Sequence, residues 1–336
     1  MRMTYATAMV LFVACAPEPE GGPPDRRNVP DPVPPTETGA PPDTETEDSE
    51  AVPFDCDVLP EAPISSTIMD EVRAYHGIGF DDDGNLIGFD GSRSLMKAPY
   101  DGVSTLFIPG MSWVEQIDRL PDGDFAVAEP GADRLTRVTP DGATSAIATG
   151  VGWLYGVTVG PDGNVYIANG DVHRVVVETG EVELLVDLGN RSSAHALDFN
   201  LDSTTMFIGT IGAGQLLAVP LDDDLNPVGE AEAVAVFGSW HDGVRVDECG
   251  DIWVADYSTS SLYRVSGDDY EVHNFLRASG RDYGHGLMWG NGIGGWRTDA
   301  LYLPLPYNGS TVKEVVIGAR SGAGVRTWKG KPVVTP

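Results

Sequence analysis

Six positions of the sequence carry side chains that could together bind a metal ion or move a proton. Each stands directly before a short apolar run, at successive intervals of 39, 40, 40, 47 and 43 residues. Three of the chain's six histidines fall on these positions, beside two carboxylates. Imidazole nitrogen and carboxylate oxygen suit a divalent ion such as Zn, Mn or Fe, and imidazole is also a base near neutral pH. We call the six the ring residues: His76, Glu115, Tyr155, His195, Asp242 and His285.

The residue types predict different roles within this set. Asp242, His195 and Glu115 are the predicted metal ligands. His285 and His76 are the predicted catalytic residues, as a general base or as further ligands.

Two more side chains are predicted to bind a substrate. Tyr155 is a ring residue, and His241 lies beside Asp242, although its side chain could equally point away from the site. The alternative is a wet surface that needs only polar groups, but such a surface would accept Ser, Thr or Asn equally. The mixture of imidazoles and carboxylates favours a metal or substrate site.

The ring residues recur because the sequence repeats. Each begins a phrase of apolar alternation, an Asp- or Gly-rich turn and a second apolar run, as in "YGVTVGPDGNVYIAN" from Tyr155 and "DGVRVDECGDIWVAD" from Asp242. Two further alternating runs complete each unit. Four short strands in about 40 residues are typical of a β-propeller blade, so the six units predict an all-β, six-bladed propeller over residues 56–336. First strands line the central channel of a propeller, and the ring residues should therefore meet at one mouth.

The stretch "ISSTIMDEVRAYHG", residues 64–77, precedes the first complete unit. Its phase is that of an outer strand followed by the next first strand. We expect it to complete the last blade and close the circle, because an open ring would leave an unpaired sheet edge.

The first 55 residues have a different composition. "MRMTYATAMVLFVAC" is too short to span a bilayer, which needs about 20 apolar residues, and predicts a signal peptide over residues 1–15. Its end resembles a bacterial lipoprotein signal with Cys15 as the lipidated residue, although Phe12 departs from that pattern; a plain secretory signal is the alternative. Residues 16–55 are rich in Pro and acidic residues and predict a disordered tether that reaches on the order of 100 Å.

Charge and cysteine content limit the partners and the compartment. The chain has 51 acidic and 21 basic residues, a net charge of −30 that repels nucleic acid and anionic membranes. A small molecule is the expected partner, with the membrane reached only through the lipid. With Cys15 assigned to the anchor, Cys56 and Cys249 are left to form a disulfide in an oxidising compartment, or to stay as two buried thiols.

Two segments resemble the SMP-30/gluconolactonase/LRE-like family of six-bladed propellers. They are "HDGVRVDECGDIWVADYSTSSLYRV" and "SAHALDFNLDSTTMFI", and the resemblance covers residues 70–320. It implies an axial divalent metal held by Glu, Asn and Asp, and in many members lactone hydrolysis. Asp242 matches the family's Asp, whereas His195 stands in place of its Asn and His76 in place of its Glu; Glu115 lies one blade later. This imidazole-rich set argues against calcium, which prefers all-oxygen shells.

The predicted function is a metal-dependent hydrolase of a lactone or related ester, exported and lipid-anchored in a bacterial cell envelope. A non-enzymatic, surface-displayed propeller that binds a sugar, a peptide or a protein is the alternative. A lyase with a histidine base is a third, weaker interpretation. Ala16, rather than Asp, follows Cys15 and by resemblance to known sorting signals favours the outer membrane.

Cys15→Ser should move the protein from the membrane fraction to the soluble fraction, because no residue then carries the lipid. Fractionation followed by immunoblotting measures this. Ala16→Ser keeps Cys15 and is the matched control, which should stay membrane-bound. Equal membrane association of both variants would contradict the lipoprotein interpretation.

Overall fold

A computed structural model describes residues 54–189, 193–279 and 284–326. The predicted signal peptide with Cys15, and the tether up to residue 53, lie outside the described residues. The regular elements of the described part are β-strands and three short 3-10 turns. No helix within those ranges is long and apolar enough to cross a membrane.

Twenty-four strands in the described ranges form six antiparallel sheets of four strands each. The first three blades are β2 (Ile78–Phe80), β3 (Asn85–Phe89), β4 (Ser94–Pro99), β5 (Thr105–Pro109); β6 (Ile117–Arg119), β7 (Phe125–Glu129), β8 (Arg134–Val138), β9 (Thr144–Thr149); and β10 (Gly156–Val159), β11 (Val165–Ala168), β12 (Val172–Val175), β13 (Val182–Val186). Blades four to six are β14 (Ser193–Phe199), β15 (Thr205–Ile211), β16 (Gln215–Pro220), β17 (Glu232–Val236); β18 (His241–Val246), β19 (Ile252–Asp256), β20 (Ser261–Val265), β21 (Val272–Arg277); and β22 (Met288–Trp289), β23 (Ala300–Leu305), β24 (Thr311–Val316) with β1 (Ser65–Met69). The predicted six-bladed, four-stranded propeller is confirmed.

The first described strand closes the circle. Strand β1 pairs antiparallel with β24, in a register that runs from Ser65 opposite Val316 to Met69 opposite Val312. The last blade therefore takes its outer strand from the N-terminal side of the domain. The expected closing strand is confirmed, and its pairing covers the edge that β24 would otherwise expose.

Short turns join the first and second strands of the first five blades at the end opposite the ring residues, and residues 290–299 form a longer connection in the sixth. In the fifth blade Asp247 Oδ1 accepts hydrogen bonds from the backbone N–H groups of Cys249 (2.9 Å) and Asp251 (3.0 Å). Gly250 lies between them at φ +90°, in the left-handed region that favours glycine. The Asp/Gly pattern in this part of the sequence thus marks the turn that reverses the chain after the channel-lining strand β18.

The core lies between neighbouring blades. One apolar cluster fills each of the six blade interfaces, so both faces of most strands are covered. Val244 and Val254 of the fifth blade, for example, pack against Phe207 and Leu216 of the fourth, and all four are buried. Face-to-face packing of twisted sheets fixes the angle between blades and hence the position of every first strand.

A disulfide fastens the start of the domain to the fifth blade. Cys56 and Cys249 are joined, and 193 positions separate them in the sequence. Cys249 sits in the turn after β18, so the bond ties the segment before β1 to a blade other than the one that β1 completes.

Cys249→Ser should lower the free energy of unfolding by about 2–4 kcal/mol, because the unfolded chain regains the freedom of a very long loop. Chemical denaturation under non-reducing conditions measures the loss. The double variant Cys56→Ser/Cys249→Ser is the control and should match the single variant, since either change removes the same bond. An added loss in the double variant would mean that the cysteines act through packing instead.

Candidate functional site

The structure brings all six ring residues to one end of the propeller axis. With Gln116 they line a cavity of about 10 Å³, which is room for about one water molecule. His76 and His285 are 209 residues apart in the chain, yet their ring centroids are 4.6 Å from each other. Each ring residue stands at or just before the start of a first strand, so the convergence follows directly from the propeller fold.

The small residue that follows most ring residues allows this convergence. A Cβ atom on Gly243 would lie 2.8 Å from the backbone nitrogen of Leu287 on the next blade, and one on Gly77 would overlap the Cα of Gln116. Neighbouring first strands therefore approach too closely for side chains at these positions. The polar residue is followed by a small one because the backbones of neighbouring first strands pack closely around the axis.

Gln116 is the exception to that pattern, and sequence analysis did not single it out. Its Nε2 donates to the backbone oxygen of Asp242 at 2.9 Å, and its Oε1 accepts from the backbone N–H of Val157 at 3.2 Å. The second and fifth blades lie opposite each other in a six-bladed ring, so the Gln116 side chain spans the axis. It forms the floor of the cavity. The sequence does distinguish Gln116, because the other five ring residues are followed by Gly or Ala.

One side of the cavity is a hydrogen-bonded group of three residues. His76 Nδ1 contacts Glu115 Oε2, and Trp113 Nε1 donates to Glu115 Oε1 at 2.6 Å. The Glu115 residue is 8% exposed. Both oxygens of this buried carboxylate are therefore engaged by neighbours within the protein.

The other side holds Asp242 between two imidazoles. Asp242 Oδ1 lies 3.3 Å from His195 Nδ1, and Asp242 Oδ2 lies 3.3 Å from His285 Nδ1. All three residues are buried, with at most 9% exposure. His195 Nδ1, Asp242 Oδ2 and His285 Nε2 have no hydrogen-bond partner in the described protein. Buried polar atoms normally have partners, so three unpartnered ones at one place indicate a site that receives something.

Burial sets the protonation states on this side. It lowers the pKa of His195 to about 3 and that of His285 to about 2, and electrostatic repulsion by His76, whenever that ring is protonated, adds to both effects. Burial, then the nearby Glu115 charge, raises the pKa of Asp242 well above its ordinary value. The two imidazoles are thus neutral at pH 7, and each has a nitrogen with a free electron pair.

The residues present fit a transition metal by chemistry and only in part by arrangement. Two neutral imidazoles and a carboxylate are typical zinc-type ligands, and their unpartnered buried atoms are the atoms an ion would engage. However, as the side chains stand, no three His, Cys, Asp or Glu residues of the described ranges are arranged around a common ion position. Small side-chain rotations would be needed to bring the donors together.

Aromatic side chains surround the cavity. Tyr155 stacks on His195 with ring centroids 4.7 Å apart, which places this ring residue at the cavity, as predicted from its position. Tyr257 and Tyr307 flank His285 at 4.6 and 5.8 Å. Tyr307 is 41% exposed and Trp240 37%. The mouth therefore offers flat apolar surfaces around a polar centre.

His241 does not lie at this cavity, in contrast to its predicted substrate contact. It is fully buried, its Nε2 lies 2.9 Å from the backbone oxygen of Phe237, and its ring stacks on the Phe237 ring. The pairing of β18 with β19 shifts register between His241 and Gly243, so Asp242 lies at an irregularity of the strand, whereas its neighbour His241 faces Phe237 of the fourth blade. His173 and His273 lie on the third and outer strands of their blades, away from the cavity.

No family model and no curated protein matches the chain. Among solved structures, it is similar to a gluconolactonase from Xanthomonas campestris (14% identity, TM-score 0.62, 74% of this chain and 87% of that one). It is also similar to regucalcin, a calcium-binding protein from Agrobacterium tumefaciens (17%, 0.60, 77% and 96%). A third similar structure is an auxiliary nutrient binding protein from Bacteroides thetaiotaomicron (13%, 0.59, 73% and 69%). This chain shares the six-bladed propeller fold of gluconolactonase and regucalcin. At these identities the likeness concerns the fold.

The lowered histidine pKa values predict how stability depends on pH in metal-free protein. The unfolded imidazoles bind protons below pH 6.5 and the buried ones do not, so the stability that these two imidazoles contribute above pH 6.5 is lost as pH falls toward 3. The slope is about 1.4 kcal/mol per pH unit for each imidazole. His285→Asn should make the free energy of unfolding depend less steeply on pH between pH 6.5 and 5. The decrease in slope should correspond to the proton taken up by one imidazole, about 1.4 kcal/mol per pH unit.

Urea denaturation in EDTA at several pH values measures this slope. His273→Asn, on an outer strand, controls for the loss of a histidine as such. An unchanged slope in His285→Asn would contradict the assignment of a buried neutral imidazole at this position.

Proposed function

We propose that the protein is a metal-dependent hydrolase of a small lactone or related ester, which it binds at the axial mouth. The observation that carries the proposal is the buried cluster of Asp242, His195 and His285, with three polar atoms left without hydrogen-bond partners. A buried polar atom without a partner costs about 1–3 kcal/mol, and three such atoms are concentrated at this one cavity. The fold shared with a gluconolactonase supports the choice of reaction.

The residues divide the work in a way that suits ester hydrolysis. Asp242 and His195 would hold the ion, together with a third ligand from Glu115 or His285. When bound, such an ion polarises an ester carbonyl and lowers the pKa of a bound water. A neutral imidazole, His76 or His285, would accept the proton of the attacking water. The tyrosines around the mouth would hold the substrate ring and exclude bulk water.

The ion expected here is of the Zn, Mn or Fe type. Two imidazole nitrogens lie beside Asp242, and calcium selects shells of oxygen atoms.

A second candidate function is ligand binding without turnover. The exposed aromatic side chains at the mouth support it, because flat apolar rings bind sugars and other ring-shaped molecules without any chemistry. One similar solved structure is a nutrient binding protein. A tether and a lipid on Cys15, as the sequence predicts, would display either a hydrolase or a binding protein at the cell envelope.

Asp242→Asn should reduce kcat for lactone or ester hydrolysis by about 100-fold or more, since a neutral amide is a poor ligand and cannot carry the charge. The assay follows hydrolysis of a panel of lactones and aryl esters after loading with Zn²⁺, Mn²⁺ or Fe²⁺. The melting temperature should hardly fall, because little apolar area is lost.

Val244→Ala, two residues along the same strand, is the matched control. It should lose about 2 kcal/mol of stability through a core cavity and keep kcat. Absence of turnover for every substrate and metal, with saturable binding of a ring-shaped compound, would refute the hydrolase and favour the binding protein.

A further inference from the structure

The ring residues differ in whether their polar atoms are already satisfied. Each carboxylate oxygen of Glu115 already has a partner: Trp113 Nε1 donates to Oε1 at 2.6 Å, and His76 Nδ1 contacts Oε2. The indole N–H can only donate, so it requires an oxygen at that point and fixes the orientation of the carboxylate. An ion bound by Glu115 would have to share an oxygen atom that already has a partner within the protein.

The His76 ring is held in place as well. It stacks on Tyr75 with centroids 4.9 Å apart and planes 6° from parallel, and it meets the Trp113 ring edge-on at 5.4 Å. With a carboxylate at Nδ1, that nitrogen carries the proton. Nε2 then carries the free electron pair, and the His76 side chain lines the cavity. This is the tautomer that a general base needs.

The opposite half is unsatisfied. His195 Nδ1, Asp242 Oδ2 and His285 Nε2 lack hydrogen bonds. The two separations between Asp242 oxygens and imidazole nitrogens are 3.3 Å each, longer than usual for a hydrogen bond. The two imidazoles face different oxygens of the same carboxylate, so side-chain rotations within this group of three residues would have to bring the donors to one ion.

We infer that the ring residues are divided by role: Asp242, His195 and His285 form the ion-binding half, and Glu115 is a positioning residue that holds His76 as the base. This inference rests on the proposed function and refines it. Of the two candidates for the third ligand it selects His285 over Glu115, and it assigns the base to His76 alone. Three protein ligands with a remaining open position are typical of catalytic zinc sites.

The ligand half is tested with Zn²⁺ alone. Protein stripped with EDTA is titrated calorimetrically as wild type, His285→Asn and Glu115→Gln. His285→Asn should weaken binding by more than about 100-fold, beyond the range typical of residues that only support a ligand, and Glu115→Gln by less than about 10-fold. Equal losses in the two variants, or no Zn²⁺ binding by the wild type, would overturn the assignment.

The positioning half is tested by ¹⁵N NMR of the metal-free protein, which distinguishes histidine tautomers; the His76 signals are assigned by their loss in His76→Asn. Wild type should show the proton on Nδ1. In Glu115→Gln the Trp113 N–H keeps the amide oxygen, so the amide NH₂ faces His76 and the proton should move to Nε2.

The double variant Glu115→Gln/Trp113→Phe is the matched control. Without the indole donor the amide can turn over, present its oxygen to His76 and restore the Nδ1 proton. The same His76 tautomer in wild type and Glu115→Gln would overturn the positioning role. Neither experiment uses a substrate, so a failure to hydrolyse lactones would refute the proposed function and leave these two results to be judged separately.

Discussion

The pairing of β1 with β24 is the interaction on which the rest of the structure depends. It turns a row of six sheets into a closed circle, and only in a circle do six first strands face one axis. Closure also covers the faces of the first and last blades, which an open row would expose, with an apolar cluster between them. The cavity is therefore a property of the whole ring: its side chains come from every blade, and no single blade could hold a metal ion or a substrate on its own.

The apolar interfaces between blades stabilise a polar centre that is costly in itself. Burial of Asp242 beside Glu115 is unfavourable in the absence of a counter-charge, as the raised pKa of Asp242 shows. Six interface clusters, containing side chains as buried as Val244 and Trp253, supply the stability that offsets this cost. Such concentration of unfavourable polar burial at one place is common at functional sites.

The repeat made the blade count, the closing strand and the six ring residues predictable, because apolar alternation and turn residues are local features of the chain. The roles of individual side chains were less accessible. The residue type of Glu115 suggested a metal ligand, but whether its two carboxylate oxygens already accept hydrogen bonds depends on the positions of Trp113 and His76 in the fold. His241 was predicted to contact a substrate because it is next to Asp242 in the sequence, but the geometry of the strand directs its side chain away from the cavity. Gln116 could have been found by its departure from the Gly or Ala that follows every other ring residue.

Gln116 also determines whether a molecule can pass along the central channel of the propeller. A propeller channel is in principle open at both ends, but a side chain that bonds across the axis from the second blade to Asp242 of the fifth blocks it just beneath the cavity. Whatever enters at the mouth must leave by the same mouth. If the protein is the proposed hydrolase, a product that dissociates slowly from between the tyrosines would block entry of the next substrate. Product release would then limit kcat.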